Sequence, residues 1–102
     1  MKSDLILSVF ADELERTKRL ISRYEKEAES LPKGSIFKRK IGAHEYFYLN
    51  YREGNKVISK FIGKANSYDE TELKSKLERR KELTRLLRKL HSEQKQLEKE
   101  LK

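Results

Sequence analysis

The chain has 102 residues, 35% of them hydrophobic and 41% charged, with a formal net charge of +8. That length suits one small domain with a modest core, and it excludes two. The lack of cysteine excludes a disulfide framework or a thiolate metal site. The short apolar run near the start is broken early by Asp12, Glu13 and Glu15, so it is too short for a membrane span. A cytoplasmic protein with no membrane partner is therefore expected.

Residues 3–31 predict a helix. Leu7, Phe10, Leu14, Thr17, Ile21, Tyr24, Ala28 and Leu31 recur at alternating spacings of three and four, the pattern of a coiled-coil seam. Ser3 or Asp4 can cap its start. Pro32 ends it, because the residue before a proline is pushed out of helical geometry.

Residues 35–63 predict a three-stranded antiparallel meander. The single proline and all four glycines lie between residues 32 and 63, so this segment is built from turns while its flanks are not. "SIFKRKI", "EYFYLNY" and "KVISKFI" are rich in β-branched and aromatic residues. Gly54-Asn55 suits a two-residue hairpin with positive φ at both central residues. That turn sets Arg52 opposite Val57, Tyr51 opposite Ile58, Tyr48 opposite Phe61 and Phe47 opposite Ile62. A change of one residue in the first turn would move Ile36 and Phe37 to the other face.

Residues 67–101 predict a second helix. Ser67 and Glu70 form a capping box, with Asp69, Glu70 and Glu72 favouring the positive end of the dipole. Leu73, Leu77, Leu83, Leu87, Leu90, Leu97 and Leu101 mark its apolar face, and Arg80 falls on or beside the seam. The fold class expected is α+β: a single domain, 1–102, with two long helices in an antiparallel coiled-coil hairpin flanking the meander. The alternative is a homodimer, in which each helix pairs with a second copy of the chain.

Charge and aromatic rings coincide in the meander. Residues 1–31 sum to −1, residues 32–64 to +6 and residues 65–102 to +3, and six of the nine aromatics lie between residues 36 and 64. One sheet face carries Phe47, Leu49, Tyr51, Ile58 and Ile62, with Lys60, and is the better core. The other carries Tyr46, Tyr48, Asn50, Arg52, Val57, Ser59 and Phe61. Exposed rings can stack on unpaired bases, and the surrounding cations can hold phosphates.

The candidate contacts are Lys38, Arg39, Lys40, Tyr46, Tyr48, Arg52, Lys56, Lys60 and Lys64 in the meander. Arg79, Arg80, Arg85 and Arg88 join them from the basic last helix, which can track a phosphate backbone. The partner expected is RNA or DNA. No catalytic residue, metal or cofactor is expected: the pair His44-Glu45 lacks the second histidine of a zinc-protease motif, and there is no phosphate-binding loop.

The block from Leu31 to Lys64 resembles a family of small uncharacterised proteins of bacteria, phages and mobile elements. The elements carrying the resemblance are Leu31 to Ser35, Lys40-Ile41, Tyr46 to Tyr48, Tyr51 to Gly54, Lys56-Val57 and Phe61 to Lys64. Phe47, Phe61 and Ile58 depart from it. The resemblance implies a mobile-element origin and supplies no activity. The meander is also similar in outline to the three-stranded DNA-binding sheets of some integrase arm domains. The charge and rings of the meander, with the basic last helix, lead to the expectation of a non-enzymatic nucleic-acid-binding protein of bacterial or mobile-element origin. The alternative is a phage-encoded protein-binding inhibitor or adaptor, for example an inhibitor of an RNA-guided nuclease (anti-CRISPR type), whose target would be a nucleoprotein complex.

Overall fold

The structure, a computed structural model, describes residues 3–102. Its elements run α1 (Asp4–Glu29), β1 (Ser35–Ile41), β2 (His44–Glu53), β3 (Lys56–Lys64) and α2 (Thr71–Glu100). Two helices thus flank one antiparallel sheet of order β1-β2-β3, the α+β class expected. By backbone contacts the chain divides into two compact units, Met1–Ser30 with Lys81–Lys102, and Leu31–Arg80. No helix among the described residues is long and apolar enough to cross a membrane.

In the helical unit, α1 begins where Ser3 Oγ accepts a hydrogen bond from the Ile6 N–H at 3.2 Å. That contact satisfies one of the donors a helix start leaves open. The helix ends as the Ser30 hydroxyl donates to the Glu27 carbonyl at 2.7 Å. Along the predicted seam of α1, Thr17 and Ile21 are buried and Leu7, Phe10, Leu14, Tyr24 and Ala28 are half-buried. On the second half of α2, Leu83 is fully buried and Leu87, Leu90, Gln94 and Leu97 are half-buried. His91 Nε2 lies 3.6 Å from Glu25 Oε1, an ion pair whenever the imidazole is protonated.

In the sheet unit, β1 pairs with β2 so that Ile36 faces Leu49 and Phe37 faces Tyr48. This resolves the face of both residues: Ile36 joins the buried side with Phe47 and Leu49, and Phe37 the open side. Three sequence expectations need correction. The β2–β3 register holds from Glu53↔Lys56 to Tyr48↔Phe61, but a bulge follows and Phe47 faces Gly63 rather than Ile62. The physical reason is Tyr68: its ring lies 6.1 Å from that of Phe47, edge-on. A Cβ on Gly63 would sit 2.9 Å from the Tyr68 Cβ and 3.0 Å from the first atom of its ring. The extra residue brings glycine under the ring.

The Gly54-Asn55 turn has positive φ at Gly54 only, 61°, and among the described residues no non-glycine residue takes positive φ. It therefore follows the pattern with glycine at the first central position. Finally, α2 starts at Thr71 and Ser67 does not cap it. The N–H groups of Ser67 and Tyr68 both donate to the Lys64 carbonyl, closing a tight turn. The cap falls to Asp69, whose Oδ1 accepts from the Thr71 N–H at 3.0 Å.

Gly34 has φ 118°, and a Cβ there would sit 2.2 Å from the Asn50 carbonyl oxygen. The chain passes this close to β2 only because the side chain is absent.

Candidate nucleic-acid interface

Alternation along each strand sorts the predicted contacts into two groups. Register places Phe37 and Arg39 of β1, His44, Tyr46, Tyr48, Asn50 and Arg52 of β2, and Ser59, Phe61 and Lys64 of β3 on the open face. Lys38, Lys40, Lys56 and Lys60 fall on the opposite side, with Phe47 and Leu49. There the Lys38 ammonium lies 5.7 Å from the Phe47 ring centroid and 3.7 Å from Glu45 Oε2.

The open face is a connected field of rings. Phe37 stacks on Tyr48 at 5.6 Å, with an interplanar angle of 28°. Phe61 meets Tyr48 edge-on at 5.8 Å and Tyr46 at 6.0 Å. His44 extends the row, 6.3 Å from Tyr46. Tyr46, Tyr48 and Phe37 are half-buried by one another, while Phe61 remains 56% exposed. The Arg39 guanidinium lies 6.0 Å from the Tyr48 ring centroid, in cation–π range. Lys64 sits opposite Tyr46. Beside the rings, the Ser59 hydroxyl donates to Asn50 Oδ1. At the end of the sheet a shallow cavity of about 350 Å³ is lined by Lys38, His44, Glu45, Lys64 and Asn66, among others.

This arrangement offers flat rings, planar and point cations, and amide and hydroxyl groups on one surface. Among the described residues no cluster of three His, Cys, Asp or Glu side chains could hold a metal ion. The side-chain selection made from sequence missed Phe37, His44 and Phe61. The alternation that placed Tyr48 also places Phe61 opposite it, so that signal was present. Phe37 could be assigned only once the first turn was known.

The helical candidates separate as well. The Arg80 guanidinium donates to the Leu31 carbonyl. It also lines a groove of about 290 Å³ with Leu49, Tyr51 and Lys60, so it ties down the entry to the sheet. Arg79, also in the sheet unit, is half-buried. Arg85 and Arg88 are exposed on the helical unit.

Fold and site together define a small α+β protein with an open, aromatic and basic three-stranded sheet. The chain belongs to the DUF6788 family, a domain of unknown function, whose model matches residues 10–75. No curated protein and no solved structure matches it.

Proposed function

We propose that the chain is a non-enzymatic nucleic-acid-binding protein whose open sheet face stacks unpaired bases. The observation carrying this reading is the ring field of Phe37, Tyr46, Tyr48 and Phe61 with Arg39 and Lys64 in the same rows. Small sheets that present aromatics to solvent take bases on the rings and phosphates on nearby cations. Asn50 and Ser59 supply donors and acceptors that base edges require. The helices serve in this reading as an antiparallel coiled-coil hairpin, in keeping with their heptad spacing. A cytoplasmic location and the mobile-element origin implied by the motif resemblance belong to the same proposal.

The test is the affinity of Phe61→Ala for a labelled single-stranded oligonucleotide. Phe61 is exposed, so the fold should survive. If a base stacks there, binding should weaken by about 1–3 kcal/mol, with a smaller change for duplex. Unchanged affinity would overturn the stacking reading.

Ile41 and Val57, 49% and 63% exposed, lie on this same face, and they favour a second reading. An aromatic and aliphatic sheet face also suits a protein partner, as in an inhibitor that occupies a nucleoprotein complex. Salt-insensitive binding to such a partner, with none to free oligonucleotides, would select it.

A further inference from the structure

We infer that the outer face of α2 between Lys81 and Lys99 is a separate binding surface for the phosphate backbone of nucleic acid. The inference rests on the reading of this chain as a nucleic-acid binder, but on different residues, and it lies outside the stretch matched by the family model.

On a helix of 3.6 residues per turn, Lys81, Arg85, Arg88, Lys89, Lys95 and Lys99 fall within an arc about 120° wide. Ser92 and Gln96 occupy the two positions in the arc that are not cations. Every lysine and arginine of α2 from Lys81 onward lies in this arc, while Glu82, Glu93, Glu98 and Glu100 lie outside it. The buried stripe of Leu83, Leu87, Leu90 and Leu97 runs along the opposite side. All six cations are exposed, and among the described residues none is paired with a carboxylate.

Elsewhere on the helices, cations do find carboxylates. Lys76 Nζ lies 3.2 Å from Glu72, Lys74 Nζ 4.0 Å from Glu70, and Arg16 Nε 3.3 Å from Glu13. Solubility alone is served by such mixed pairs. A row of unpaired like charges three and four residues apart weakens its own helix, and a bound polyanion relieves it.

The ridge from Lys81 to Lys99 spans about 27 Å, with a cation at nearly every turn of about 5.4 Å. That is a straight, evenly charged rail, suited to a partner with regularly repeated anions. It is poorly suited to a lipid surface, because interfacial helices set their apolar side chains beside the cations and insert them. Here the apolar stripe is turned away from the ridge.

The test uses the full chain with Arg85→Gln, Arg88→Gln and Lys95→Gln combined, since glutamine keeps helix propensity. The probes are an oligothymidylate, a duplex of equal length, and phosphatidylserine vesicles. The logarithm of affinity should fall with the logarithm of salt less steeply by about 2 for the single strand, three contacts at roughly 0.7 each. The wild type should thus lose about twentyfold more affinity than the variant between about 50 and 200 mM salt. If the triple variant loses helicity, Arg88→Gln alone should lower the slope by about 0.7.

An unchanged slope in a folded variant overturns the inference. So does loss of vesicle binding with oligonucleotide binding intact. Phe61→Ala should lower affinity without changing the slope. If it does nothing while the ridge variant lowers the slope, the sheet reading fails and the ridge stands.

Discussion

Replacing Leu83 by alanine probes the helical unit at its most enclosed point. The side chain is 0% exposed, whereas Leu87, one turn further along the same stripe, is half-buried. Truncating a fully buried leucine removes transfer free energy and leaves a cavity, together about 2–5 kcal/mol. The neighbours in this unit are largely half-buried side chains, which can relax into the space. The lower part of that range, about 2–3 kcal/mol, is therefore expected. For a chain of this size that corresponds to a melting temperature roughly 8–20 °C lower. Leu87→Ala should cost about half as much, in proportion to its burial. The assay is urea unfolding followed by far-ultraviolet circular dichroism, with the denaturant slope checked for constancy across the variants. Equal losses for the two leucines, or a loss under about 1 kcal/mol at Leu83, would refute the assignment of this stripe as the core of the unit.

Two further outcomes follow from backbone geometry. Gly34→Ala should destabilise the sheet unit by more than about 2 kcal/mol, because φ of 118° is strained for alanine and its Cβ meets the Asn50 carbonyl; urea unfolding measures it. Asp69 is held below the ordinary carboxylate value of 3.8 by the Thr71 hydroxyl first and then by its N–H. A folded-state pKa lowered in this way stabilises the start of α2 above the unfolded-state pKa and loses that effect as pH falls through the folded value. The Thr71 amide resonance should therefore titrate with a midpoint below 3.8, and Asp69→Asn should abolish that titration.

Much of this molecule is legible in local pattern. The α1 stripe from Leu7 to Ala28 follows directly from heptad spacing, since burying one face of a helix is a local consequence of where its apolar residues fall. The three strands and their turns follow from where glycine stands. Two of the misreadings share a cause. The bulge beside Phe47 and the failure of Ser67 to cap α2 both depend on Tyr68 folding back over Gly63, a contact no periodicity announces. Sequence places Arg80 on or beside the seam and among the phosphate contacts; its bond to Leu31 links residues 49 positions apart. At the site, alternation sorted Tyr46, Tyr48 and Arg52 correctly. It could not place the β1 cations until the turn at Gly42 was defined.

Among the described residues β1 and β3 each pair with a strand on one side only, which leaves the sheet two unpaired edges. Along β1 run Lys38, Arg39 and Lys40, and along β3 stand Lys56, Lys60 and Lys64 at every fourth position. A second molecule offering either edge for backbone pairing would bring these cations against its own, and like charges in register oppose such growth. The cations thus let an aromatic sheet remain uncovered at working concentrations. Their protection is electrostatic, so it shortens with the Debye length, to about 3 Å in molar salt. Molar salt is therefore the condition in which these sheets should begin to associate.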